Sequence, residues 1–238
     1  MELRICHLYP DVLNLYGDVG NLIAMEKRLQ WRGIGCSITP VGMGEKADFE
    51  DFDLIFIGSG REDEQKTLAA DLIENKAEAL RSAAEKGTAI LAIGGGMELL
   101  GKYIELSDGS RIEGAAVLDM HTVGSQHRRT GNYMFSTPFG EVVAFENHSG
   151  STYLSEALEP LGTVEVGYGN NGEGSEGVRY KNVFGSYGHG SLLPKNPALC
   201  DAILKAALSL RYGEVELMQL DDSAEQTAHD YMVKRLKP

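Results

Sequence analysis

The chain has 238 residues, 42% of them apolar and 24% charged, which is the balance of a folded globular protein long enough to bury a full core. Its formal net charge of -13 is spread along the chain and disfavours nucleic acid and anionic membranes as direct partners, because phosphate binding needs a basic face. Three cysteines without CxxC spacing (Cys6, Cys36 and Cys200) predict reduced thiols and a cytoplasmic protein; no apolar stretch reaches the ~20 residues that span a bilayer, and the first residues lack the apolar core of a signal peptide.

Leu3 to Tyr9 predicts a first strand, stopped by Pro10. A turn-rich loop over residues 14–21 follows, and Asn21 is expected to cap a helix from Leu22 to Trp31 that Gly33 closes. Ile34 to Val41 predicts a second strand. Residues 53–58 predict a third, apolar throughout as in a parallel sheet covered on both faces. After Gly58-Ser59-Gly60 the pattern is helical from Arg61 through Ala84 and ends at Gly87; Ala89 to Ile93 is then a fourth strand, running into Gly94-Gly95-Gly96 and a helix. The order β-α-β-β-α-β-α predicts an α/β fold with a doubly wound, mainly parallel sheet, in which ligands bind at the carboxyl ends of the strands. Residues 102–190 change character, with short β-like runs that add strands in the second half and a glycine-rich loop over 167–177. Asn196-Pro197 opens a helix ending before Gly213, and Ser223-Ala-Glu-Gln226 reads as the capping box of a C-terminal helix over about 222–236. No repeat or composition break divides the chain, so one domain over residues 1–238 is expected.

Few residues carry the signs of chemistry. Gly94-Gly95-Gly96 fits a packing turn, or a phosphate cradle without the usual Gly-Lys-Ser/Thr ending, or a strand–turn–helix corner of the kind that holds a nucleophile. At such a corner the residue at position 94 would be the reactive one, and it has no side chain. His189, between Gly188 and Gly190, either faces a cleft or bonds to backbone. Asn147 to Gly150 ends a strand run, either holding a ligand or forming an Asx turn. Of Arg128 and Arg129, one could fork onto a carboxylate and at least one is expected to be solvated. The six histidines show no HExxH and no Cys/His cluster, so no metal site is expected.

Long blocks run in order along nearly the whole chain: His7-Leu-Tyr-Pro-Asp11, Asn14-Leu-Tyr-Gly-Asp18, Lys27-Arg-Leu-Gln-Trp-Arg-Gly33, Phe145-Glu-Asn-His148, Gly167-Tyr-Gly-Asn-Asn-Gly172, Glu176 to Gly185 and His189 to Pro197. Together they resemble the class I glutamine amidotransferases of the cobyric-acid-synthase type, and among them the glutaminase subunits of lipid II isoglutaminyl synthases. The resemblance implies a flavodoxin-like amidotransferase fold that hydrolyses glutamine to glutamate and ammonia. It implies a heterodimer with a MurT-like, ATP-dependent Mur ligase that amidates D-glutamate in lipid II, with ATP and Mg on the ligase and no cofactor in this chain. Residue by residue, it puts the nucleophilic cysteine at Gly94, the catalytic histidine at His189, the oxyanion amides at Gly60 and Gly95, and a glutamine-binding arginine at Arg128. The chain departs from the pattern at Gly94, at Glu98 where glutamine is usual, at Gly188 where a larger apolar residue is usual, and at Gly190-Ser191, which replaces the rest of a His-x-Glu pair. The third triad member is then expected from the partner or is dispensable. Two readings follow: a glutaminase subunit whose site is intact apart from the sulfur and which is inactive as written, or a natural pseudo-glutaminase that binds and stabilises a ligase. The retention of His189, Gly60, Gly95 and Arg128 favours the first.

Overall fold

The computed structural model describes residues 1–237. Its strands are β1 (Glu2–Leu8), β2 (Gly35–Val41), β3 (Leu54–Ile57), β4 (Ala89–Ile93), β5 (Tyr103–Glu105), β6 (Arg111–Glu113), β7 (Met120–Thr137), β8 (Gly140–Leu154), β9 (Gly162–Val166), β10 (Ser175–Glu176), β11 (Val178–Tyr180) and β12 (Val183–Ser186). Its α-helices are α1 (Val19–Trp31), α2 (Glu62–Asp71), α3 (Ala77–Lys86), α4 (Gly95–Leu99), α5 (Pro197–Tyr212) and α6 (Ser223–Leu236).

One sheet has the order β11-β12-β4-β3-β1-β2, parallel from β12 to β2 with β11 antiparallel at the edge. The apolar runs of β3 and β4 are buried along their whole length, whereas β2 at the other edge is mostly exposed or half-buried. Side chains alternate between the two faces with a period of two. Leu54, Phe56, Leu91 and Ile93 pack with α1 and α5 through Leu22, Met25, Ile203 and Leu204. Ile55, Ile57, Ile90 and Ala92 pack on the opposite side with Leu68, Leu80 and Ala84 of α2 and α3. The winding reverses between β1 and β3, so the loops after these two strands part there and leave a crevice at the strand ends.

A second sheet, order β10-β9-β7-β5-β6 with β8 paired to β7, supplies the strands expected in the second half. Its longest pairing is the β7–β8 hairpin, whose register shifts between Gly124 and Arg129. The hairpin meets the segment after β12 through backbone, where the His189 N–H donates to the Phe145 carbonyl (2.8 Å), and through side chains such as Thr152 and Tyr187. Thus β8 holds the segment after β12 in place.

The helical stretch from Arg61 to Ala84 is not continuous. A π turn over Leu72–Lys76 separates α2 from α3 and turns the Lys76 side chain inward, where Nζ meets Asp71 Oδ2 at 2.5 Å. Helix α1 starts at Val19, so Asn21 lies inside its first turn; buried, it does not cap the helix but accepts the Leu193 N–H (2.9 Å), a tertiary partner that outcompetes the local cap. Asn196 stands before α5 as expected, yet its side chain bonds Val143 and Leu192 rather than the helix. Helix α6 begins at Ser223 with Asp222 before it, so Ser223 is not the cap, and Gln226 reaches forward to Asp230 instead of back. Asn147 to Gly150 lie within β8, not at its end.

Close packing at the glycine corner has a measurable cost if filled. A Cβ on Gly96 would collide with the Gly58 carbonyl oxygen and lie 2.7 Å from Ile57 Cγ2. Neither can retreat, because β3 is a central strand. Gly96→Ala is therefore expected to lower stability by about 1–3 kcal/mol, read as a lower urea midpoint with an unchanged slope. An unchanged midpoint would show that the corner is looser than described.

Candidate active site

The corner after β4 has the backbone of a nucleophile elbow. Gly94 sits at φ 49° and ψ −117°, a conformation that L side chains rarely adopt. For a cysteine such strain typically costs about 1–3 kcal/mol, which glycine avoids. The Gly94 N–H donates to the Ser186 carbonyl (2.8 Å) and its carbonyl accepts the Glu98 N–H (3.0 Å), so strand β12 and helix α4 hold the turn on both sides. A Cβ built on Gly94 would lie 3.0 Å from His189 Nε2, 2.7 Å from Cε1 and 2.5 Å from Ser59 Oγ.

His189 is 1% exposed. Its backbone is tied to β8, and the Tyr16 ring meets its imidazole edge-on at 5.1 Å. Its Nδ1 has no hydrogen-bond partner and faces Asp18 Oδ1, likewise unpartnered, at 3.8 Å. That separation is too long for a hydrogen bond. The other Asp18 oxygen accepts the Ser59 N–H (2.7 Å), which closes the crevice between the β1 and β3 loops. Asp18 was legible only as part of a motif; nothing in its spacing pointed to His189.

Gly60, Gly94, Gly95, Arg128 and His189 all line one pocket of about 330 Å³. Arg128 is at its rim, where Nε donates to Asn147 Oδ1 (2.5 Å) and Nη2 to the Tyr16 hydroxyl (3.2 Å). Arg129 is turned away. It bonds the Gly150 carbonyl and Ser151 Oγ, so it is a strand tie, and the exposed member of the pair is Arg128, in line with the expectation that at least one is solvated.

Glu98 completes the wall. Oε2 accepts from Gln65 Nε2 (2.8 Å) and Oε1 from the Tyr187 hydroxyl (2.9 Å). An ionised carboxylate only accepts, so Tyr187 spends its one proton there and receives one from Thr152 (2.6 Å), which in turn receives from Thr122 (2.8 Å). Burial and the neighbouring Glu98 charge push the Tyr187 phenol well up, which keeps it a donor. Behind the corner, fully buried Glu176 accepts from Ser186 Oγ (2.8 Å) and the Tyr187 N–H (2.9 Å); burial raises its carboxyl.

None of the three cysteines has the character of a nucleophile. Burial pushes Cys6 and Cys200 up to about 12 and half-buried Cys36 up to about 11, far above the range of a reactive thiolate.

Residues 4–197 match the family described as the CobB/CobQ-like glutamine amidotransferase domain. The chain is 39% identical over 236 residues to subunit GatD of the glutamine-hydrolysing lipid II isoglutaminyl synthase of Staphylococcus aureus (strain N315), covering 98% of this chain and 96% of that one. It is 36% identical over 236 residues to the GatD subunit of Streptococcus pneumoniae (strain ATCC BAA-255 / R6), covering 97% and 90%. A solved glutamine amidotransferase from Thermotoga maritima superposes with a TM-score of 0.57 at 14% identity, covering 98% of this chain and 97% of that one, a likeness of fold.

Proposed function

The chain belongs to the CobB/CobQ-like glutamine amidotransferase family, and from that premise we propose that it is the amidotransferase subunit of a lipid II isoglutaminyl synthase whose own site, with glycine at position 94, does not hydrolyse glutamine. The observation that carries this reading is the elbow itself: a φ of 49° at Gly94 and a Cβ position 3.0 Å from His189 Nε2, with no sulfur between them.

With a cysteine at position 94 the chemistry would run as follows. The thiol gives its proton to His189, and the sulfur attacks the side-chain amide carbon of glutamine. The carbonyl oxygen gathers charge towards the N–H groups of Gly60 and Gly95, where one donor typically changes the rate by ~100- to ~1000-fold. The C–N bond breaks as the imidazolium returns its proton to nitrogen, releasing ammonia. Water then cleaves the thioester and frees glutamate. Arg128 at the rim is suited to the α-carboxylate of the amino acid. In this reading the chain keeps the histidine, the glycine amides and the arginine along one pocket and lacks the atom that forms the covalent bond.

The partner in this reading is a MurT-like Mur ligase, which holds ATP and Mg and uses the ammonia to amidate D-glutamate in lipid II. With Gly94 the ligase draws ammonia from solution, and this subunit binds and stabilises it. The complex is expected to amidate lipid II with ammonium chloride and ATP but not with glutamine in place of ammonium. Amidation driven equally well by glutamine, or failure of the two proteins to associate, would sink the reading.

A further inference from the structure

We propose that the Ser59 hydroxyl occupies the nucleophile's place, so that a sulfur introduced at position 94 cannot seat productively against His189 while that hydroxyl remains. This rests on the reading of the corner as a nucleophile elbow. It goes further by assigning a role to a residue in another loop.

Ser59 is 3% exposed, and its Oγ lies 2.5 Å from where the position-94 Cβ would stand, closer than real Cβ contacts allow. The same Oγ accepts the Gly95 N–H (3.1 Å), so the amide that would meet an oxyanion already has an acceptor. The backbone of Ser59 cannot withdraw. Its N–H donates to Asp18 Oδ2 (2.7 Å) and its carbonyl accepts the Leu15 N–H (2.9 Å). The only freedom left is rotation of the hydroxyl, which gives up the Gly95 bond and leaves a buried donor to be satisfied elsewhere. A cysteine introduced at position 94 would therefore be displaced from His189 or would evict Ser59 Oγ. Removing the serine hydroxyl takes away the nearest atom crowding that Cβ position, leaving the His189 imidazole to give by a few tenths of an ångström, and frees the Gly95 N–H in one step. Ser59 itself makes no hydrogen bond to His189, so it is an occupant and not a second nucleophile.

The test is alkylation by iodoacetamide, read at the position-94 peptide by mass spectrometry, in G94C, S59G/G94C and S59A/G94C chains. The alanine pair covers the case in which glycine at 59 loosens the loop. A thiol with its ordinary pKa of ~8.5 is only a few per cent ionised at pH 7, whereas one seated against an imidazole is largely thiolate. Both double variants are expected to label at least about tenfold faster than G94C at pH 7, with the advantage shrinking as pH rises past 9. Equal labelling of G94C and the double variants would overturn the proposal. So would glutamine hydrolysis by the unaltered chain that S59A abolishes, because that would make Ser59 the nucleophile. The labelling needs neither ligase nor glutamine, so failure of the functional reading leaves this measurement intact.

Discussion

In an S59G/G94C chain with its ligase, His189→Ala is expected to lower glutamine hydrolysis by about 10³- to 10⁴-fold, at the top of what one general acid–base group supplies. His189 is the residue whose Nε2 stands 3.0 Å from the elbow's Cβ position, and in the proposed reaction it has two tasks: taking the thiol proton and returning it to the leaving nitrogen. Without the first the sulfur is a poor nucleophile, and without the second the tetrahedral carbon keeps a poor leaving group. The substitution should also shift the pH profile. The residual rate should climb towards the ordinary thiol pKa of ~8.5, because no imidazolium remains to hold a thiolate. Asp18→Asn in the same background should cost less than His189→Ala, because Asp18 Oδ1 faces Nδ1 at 3.8 Å without a hydrogen bond to it. An alanine at 189 that changes neither the rate nor the profile would place the base elsewhere.

The second large effect is on stability. Asp71→Asn is expected to destabilise the fold by about 3–5 kcal/mol at pH 7, the usual penalty for leaving one member of a buried ion pair alone. The Lys76 side chain is fully buried beneath the π turn, and Asp71 meets it at 2.5 Å while also accepting from the Tyr9 hydroxyl (2.7 Å), the Gly44 N–H (2.9 Å) and Asn75 Nδ2 (2.9 Å). Burial works to raise the Asp71 carboxyl, but these donors outweigh it and hold it at about 2. A carboxyl depressed in the folded state adds stability that is present above its unfolded pKa of ~3.9 and is lost as pH falls through the folded value. The contribution is about 2 kcal/mol, fading between about pH 4 and pH 2. The gap in urea midpoint between the unaltered chain and Asp71→Asn should therefore be wide at pH 7, unchanged at pH 5 and narrower by pH 3. A gap that stays constant to pH 3 would remove Asp71 as the source of the acid sensitivity.

Much of the frame was legible because it depends on local pattern. The apolar runs of β3 and β4 can be buried on both faces only in the middle of a sheet, and their even and odd residues do divide between two helical layers. Gly87 ends α3 in a left-handed cap (φ 93°), as the residue after a helical run should when it is glycine. Expectations failed where a polar side chain had a choice of partner. Asn21 and Ser223 carry the chemistry of a helix cap, yet a tertiary bond or the preceding residue took the position, whereas Asn196 keeps its place before α5 but spends its side chain on Val143 and Leu192. The π turn was invisible for a similar reason. Nothing in the helical periodicity from Arg61 to Ala84 marks the inward turn of Lys76, which a carboxylate and a phenol reward only after packing.

By itself the sequence determined the class of fold, the glycine corner at the end of β4, the absence of a sulfur there, and the blocks that tie the chain to its family. These follow from residue identity, periodicity and order, none of which needs a three-dimensional partner. Only the tertiary structure decided what faces the corner: Asp18 behind His189, the Ser59 hydroxyl on the Gly95 amide, and the chain from Thr122 to Glu98 along the pocket wall. These contacts join residues 36 positions apart in the case of Ser59 and Gly95, and 89 apart in the case of Glu98 and Tyr187. They form where the loops after β1, β3, β4 and β12 converge, and side-chain hydrogen bonds at that range depend on the relative placement of strands, which periodicity does not encode.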